Sequence, residues 1–186
     1  ALLHGLDSAS SVHAIDLVLS EPRRGRQIWL PEVRLGPHLL AASCPLFIHQ
    51  SGRTGVMSSS SVFGVPVMDL ESAVVSSALL NPDRLGFVCE GLRVLSRFSR
   101  RHMDASRARE ERVRQTLLDT LAQTSPGSRN RRRAKWLLQH ADGACESVAE
   151  QLLLFILHRG NVTGLRTQHQ VAHRLGNCYL DIAIPE

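Results

Sequence analysis

The stretch that decides the fold is 145-CESVAEQLLLFILHRGNVTGLRTQHQVAHRLGNCYLDIAIPE-186. At 100° per residue, Cys145, Val148, Ala149, Leu152, Phe155 and Ile156 share one face, which predicts an amphipathic helix over 145–159. Glu146 and Glu150 fall beside that face, with Leu153 and Leu157. Leucines on both sides leave such carboxylates partly buried, and an unpaired buried carboxylate costs roughly several kcal/mol. Glu150 therefore calls for a proton, an arginine partner such as Arg159 or Arg166, or a metal ion. Gly160 and Gly164 bracket a turn, and 165–175 reads as extended. Gly176-Asn177 then offers a two-residue hairpin turn before a second strand over 178–184. That turn would pair Val171 with Ile182 and Ala172 with Asp181. It would set Gln168, Gln170, Arg174, Tyr179, Asp181 and Ala183 on one face. Aspartate suits a strand interior poorly, so Asp181 between Leu180 and Ile182 is either an edge residue facing water or a working one.

Upstream, helices dominate the middle of the chain. Asp69 can N-cap a helix running through Leu80, with Leu70, Ala73, Val74 and Ala78 on one side and Asn81-Pro82 ending it. Pro82 or Asp83 starts the next, where Leu85, Val88, Cys89, Leu92 and Leu95 recur at helical spacing and mean core packing. A third helix, rich in Arg and Glu, covers 105–121. The Thr124-Ser125-Pro126-Gly127-Ser128 cluster reads as a linker, which divides the chain into regions 1–125 and 126–186. Over the first sixty residues, strands are expected at 12–19, 27–30 and 46–49, with Ser58 to Ser61 as a loop.

The chain carries a net charge of +5, and the segment from Arg93 to Lys135 holds 13 of its 22 basic residues against Asp104, Glu110, Glu111 and Asp119. Concentrated positive charge favours phosphate backbones, though a solvated helical face of mixed charge has the same composition. The sharpest cluster is Arg129, Arg131, Arg132, Arg133 and Lys135, leading into a short helix that ends near Ala141. Like charges at a helix start oppose the macrodipole, so local stability does not call for them and a DNA backbone would. The four cysteines form no Cys-x-x-Cys pair, which points to reduced thiols and a cytoplasmic setting. His169 and His173 have metal-like spacing but no second ligand pair, so no zinc site is expected. No apolar run is long enough to span a bilayer.

A glutamate on a helix followed by an aspartate on the second strand of a hairpin is also the opening of a phosphodiester-cleaving metal site. Glu146, Ser147, Glu150, Gln168, Asp181, Ala183, Pro185 and Glu186 recur in an order that resembles the endonuclease-like domain related to the very-short-patch repair enzymes. That domain belongs to the PD-(D/E)xK superfamily, and the likeness is to its actinobacterial branch. The resemblance covers about 130–186 and implies a restriction-endonuclease-like α/β core, seen here as a helix plus a β-hairpin. It implies Mg²⁺ as cofactor, with Asp181 a direct ligand, Glu150 a supporting acid and Gln168 orienting water or the strand face. Arg131 to Lys135 would meet the DNA. The family continues with a third strand bearing a second metal-binding acid, and Glu186 does not stand for it. The chain is accordingly expected to be a fragment, inactive by itself. Residues 1–125 more loosely resemble type IV abortive-infection antitoxins, on Leu3-His4-Gly5-Leu6 as the exit from a winged helix upstream.

The fold expectation is an α+β protein: a mixed N-terminal region, a basic helical middle and a truncated nuclease core. The leading functional expectation is Mg²⁺-dependent DNA endonuclease chemistry in the parent protein. A non-enzymatic DNA-binding regulator of the antitoxin kind, with an undefined toxin partner, is the alternative. A protein-interaction module built on the leucine-rich helix is a third.

Overall fold

Asp69 stops one backbone direction and starts another. Its Oδ1 accepts the Ser72 amide at 2.7 Å, satisfying a donor that the first helical turn leaves free. Helix α1, Leu70–Leu80, follows as expected. The computed structural model describes residues 15–19, 27–35, 38–41, 44–50, 59–62, 65–80, 85–124, 129–174 and 176–185. Three further helices run α2 Leu85–Ser96, α3 Met103–Ala122 and α4 Arg129–His140. A 3₁₀ turn at Arg100–His102 leads directly into α3. Arg97 ends α2 in the left-handed region, φ 49°, while the Phe98 amide reaches back to Arg93 O at 3.0 Å.

The N-terminal strands are β1 Ile15–Leu19, β2 Gln27–Leu30, β3 Val33–Leu35, β4 His38–Ala41, β5 Cys44–Gln50, β6 Ser59–Val62 and β7 Val65–Met68. β5 is central, parallel to β1 and antiparallel to β2, and β3–β4 form a separate hairpin. The expected strand at 27–30 is present as read, that at 46–49 becomes 44–50, and of that at 12–19 the described part, 15–19, is a strand, with 12–14 outside the described residues. Ser58 to Ser61 was expected as a loop; instead Ser59–Val62 pairs antiparallel with Val65–Met68. Three serines carry no apolar alternation, so only cross-strand pairing reveals this strand.

One core binds the helices. Val74, Val75, Ala78 and Leu79 of α1 meet Val88, Cys89 and Leu92 of α2 and Leu117 and Leu121 of α3. Ala134, Leu137, Leu138 and Phe155 complete it, so its side chains come from both sides of residue 125. Val88, Cys89 and Leu92 lie buried on α2 as their spacing predicts.

Helix α5, Val148–Arg159, begins three residues later than expected, with Ser147 as its N-cap. Cys145 still reaches the core, but from the loop before the helix. The buried face is also different: Gln151, Leu154 and Phe155 point inward, whereas Leu152 is 51% and Ile156 65% exposed. Because 152–157 is apolar at every position, periodicity could not locate the buried side.

Strands β8, Arg166–His173, and β9, Gly176–Ala183, form the expected hairpin in a different register. Val171 lies opposite Cys178, His169 opposite Leu180 and Thr167 opposite Ile182; β8 ends where His173 meets Gly176. The Gly176-Asn177 turn is therefore wrong, and both residues belong to β9. The slip is four residues, an even number, so the register by itself keeps the predicted faces; Gln168 is the exception. Asp181 moves from Ala172 to the level of Gln168. The class is α+β, with a helical bundle, one mixed three-stranded sheet and antiparallel hairpins.

Candidate functional site

Thr167 and Gln168 are both buried, 5% and 2% exposed, although neighbours on a strand should alternate. The cause lies in the backbone. Gln168 sits at φ 51°, a left-handed conformation that costs a non-glycine residue about 1–3 kcal/mol and persists only where surroundings enforce it.

Those surroundings begin in α3. Glu110 is 1% exposed and accepts from Arg114 Nη2 at 2.8 Å, the Gly143 amide at 3.1 Å and Arg107 Nη1 at 3.2 Å. Burial, seconded by the charge of Asp142, raises its pKa against the pull of the Gly143 amide and both guanidiniums. Arg107 Nη1 also donates to Asp142 Oδ1 at 2.7 Å, and Thr167 Oγ1 donates to Asp142 Oδ2 at 2.6 Å. Arg107 Nη2 reaches Thr167 O at 3.1 Å and Thr167 Oγ1 as well. Two acids and two guanidiniums thus balance, and the network fixes the residue immediately before Gln168.

The carboxamide of Gln168 lies between the two carboxylates singled out in the sequence. Its Nε2 donates to Asp181 Oδ1 at 3.2 Å and reaches Glu150 Oε2 at 3.5 Å. Nitrogen must face them, because an amide oxygen there would meet two acceptors with no proton between. Gln168 Oε1 is buried without a hydrogen-bond partner, a state that costs about 1–3 kcal/mol. Glu150, Gln168 and Asp181 are therefore brought together.

Glu150 has a local role too. Its amide donates to Ser147 Oγ at 3.1 Å and its Oε2 accepts the Glu146 amide at 3.0 Å, a reciprocal capping arrangement for α5. The arginine partner considered for it is absent: neither Arg159 nor Arg166 pairs with Glu150. Glu146 instead takes the arginines, pairing with Arg100 and, at 3.7 Å, with Arg93. The Arg100 guanidinium also lies 5.8 Å from the centre of the Tyr179 ring.

Gln168, but neither Glu150 nor Asp181, also lines a cavity of about 450 Å³, together with Asp104, Arg107, Asp142, His169 and Tyr179 among others. No group of three or more His, Cys, Asp or Glu side chains able to share a metal occurs among the described residues. Two carboxylates and an amide remain the available oxygen donors.

The basic residues stand elsewhere. Arg131 donates to Ala122 O at 2.9 Å and Thr124 O at 3.4 Å, closing the carbonyl end of α3. Arg132, Arg133 and Lys135 face solvent, and Arg129 opens α4. Arg107 touches the hairpin, whereas Arg131 touches Ala122 at the far end of α3, roughly 20 Å further along that helix. Sequence spacing could not reveal this separation. Much of the Arg richness is structural as well: Arg109 donates to Ser96 O and Arg97 O, and Arg114 to Leu138 O and Ala141 O.

Asp142, Arg107 and Thr167 were not singled out by sequence reasoning. A buried acid in an Arg-rich helix leaves no periodic signal, and only Asp142-Gly143 marked a turn. No described helix is long and apolar enough to cross a membrane. In comparisons with known proteins, no family model, no curated protein and no solved structure matches this chain.

Proposed function

We propose that Glu150, Gln168 and Asp181 form a divalent-cation site of the phosphodiester-cleaving kind, with DNA as substrate and Mg²⁺ as the ion. The observation that carries this reading is the single amide nitrogen shared by two carboxylates from different elements. Like charges held this close need a positive partner, and the amide supplies only a partial one. The residues fit Mg²⁺, which is commonly held by one or two carboxylates while keeping several waters and phosphate oxygens.

When bound, Mg²⁺ would lower the pKa of a water and offset charge on the scissile phosphate. Asp181, on the exposed strand, would hold the ion directly. Glu150, fixed by the helix cap, would support it from the other side. The cavity lined by Gln168 would receive a neighbouring part of the substrate, and the solvent-facing Arg132, Arg133 and Lys135 would hold the phosphate backbone.

The test is plasmid nicking with Mg²⁺ by the protein and by Asp181→Asn, with Mn²⁺ uptake measured on both. The reading expects cation uptake and any nicking to disappear with the substitution; nicking that survives it refutes the assignment. The absence of a third acid beside the pair, among the described residues, favours a second reading: a non-enzymatic DNA-binding regulator. It expects DNA retention on filters that falls steeply with salt, without dependence on cation or on Asp181.

A further inference from the structure

We propose that Gln168 holds the place of the cation in the metal-free protein and becomes its third oxygen ligand when one binds. This rests on the cation reading above and names a role for one residue within it.

Two observations carry it. The Nε2 group points at both carboxylates, as a cation would, and so keeps them together when no ion is present. At the other end of the same amide, Oε1 is buried and has no donor. The terminal torsion of a glutamine is broad and nearly two-fold, so the amide can turn end for end without moving the strand. Turning exchanges the two ends: the oxygen that lacks a partner comes to face the space between Glu150 and Asp181. Hard divalent ions accept amide oxygens beside carboxylates. The backbone agrees with this role. The left-handed conformation at Gln168 turns the side chain inward beside Thr167, and the Arg107–Asp142 network holds that neighbour in place. A strained, buried, half-satisfied residue between two acids is what a placeholder requires.

The probe is Mn²⁺, titrated against the whole protein and followed by the spin-resonance signal of the free ion. Wild type should take up one ion and Asp181→Asn none. Gln168→Met should weaken uptake about tenfold or more. Gln168→Glu should bind more tightly than wild type, melt lower than wild type without metal at neutral pH, and be rescued by Mn²⁺. A second readout uses Mg²⁺: the Gln168 side-chain amide protons should shift in the nuclear resonance spectrum at saturation. If Gln168→Met binds Mn²⁺ like wild type while Asp181→Asn does not, the placeholder role is refuted and the cation site stands. If wild type takes up no Mn²⁺, both fall.

Discussion

Arg107 Nη1 stands 2.7 Å from Asp142 Oδ1, and that contact links the third helix to the loop supporting the β8–β9 hairpin. The same guanidinium holds Thr167 by its carbonyl and hydroxyl. Removing it leaves Glu110 with Arg114 and the Gly143 amide but strips Asp142 of its cation. Arg107→Met should therefore lower stability by about 1–3 kcal/mol, since part-buried Asp142 and Thr167 lose a charged donor. Urea unfolding measures this. Arg107→Lys should recover only part of the loss, because a single ammonium cannot reproduce the forked contacts. Equal stability of Met and wild type would show that the network carries little.

The rotation of α5 gives a second expectation. Leu154 is 2% exposed and Ile156 is 65% exposed, two positions apart on a helix of leucines. Leu154→Ala should cost about 2–5 kcal/mol, as cavities in packed cores do. Ile156→Gln should change stability by less than about 0.5 kcal/mol. The reverse ranking would restore the face predicted from periodicity.

His158 supplies a pH dependence. Its ring lies edge-on to His140, 4.6 Å between centres, and His140 Nδ1 donates to Trp136 O at 2.8 Å. Burial and then the neighbouring His140 lower the His158 pKa below the ordinary 6.5, with Asp142 opposing. The unfolded chain then binds a proton more readily than the folded one. This contribution to stability is complete above about pH 6.5 and is lost as pH falls towards the folded-state value. Melting temperatures between pH 7.5 and 5.5 should fall more steeply for wild type than for His158→Gln. Parallel curves would remove His158 from the account.

Thiol reactivity separates Cys89, Cys145 and Cys178. Burial pushes Cys89 up to about 12 and raises Cys145 further, while Cys178 lies exposed on β9. Only the thiolate reacts. Peptide mapping after alkylation at pH 8 should find Cys178 modified quickly and the other two only after unfolding. Early modification of Cys89 would mean that the core opens readily.

The helices were legible because their signals are local: a capping aspartate at 69 and apolar recurrence at 88, 89 and 92. The hairpin was legible in kind but not in register. Gly176-Asn177 has the composition of a tight turn, yet a turn two residues nearer the N-terminus sets Thr167 where Asp142 and Arg107 can hold it. That contact joins residues far apart in sequence, and no periodicity records it. The acid pair was found from residue type and order alone. The amide between its members needed the backbone reversal at Gln168, which nothing in the local sequence announces. The basic run was likewise visible as charge, but Arg131 is spent on the carbonyl end of α3.

The roughly 20 Å of α3 between Arg107 at the hairpin and the Arg131 contact at Ala122 has a consequence, on the DNA-binding proposal, for the length of any oligonucleotide used as a probe. At 3.4 Å per step along each strand, that span corresponds to roughly six base pairs. On that proposal a duplex shorter than this would reach one end of α3 or the other but not both. A plot of affinity against duplex length should therefore rise in two stages.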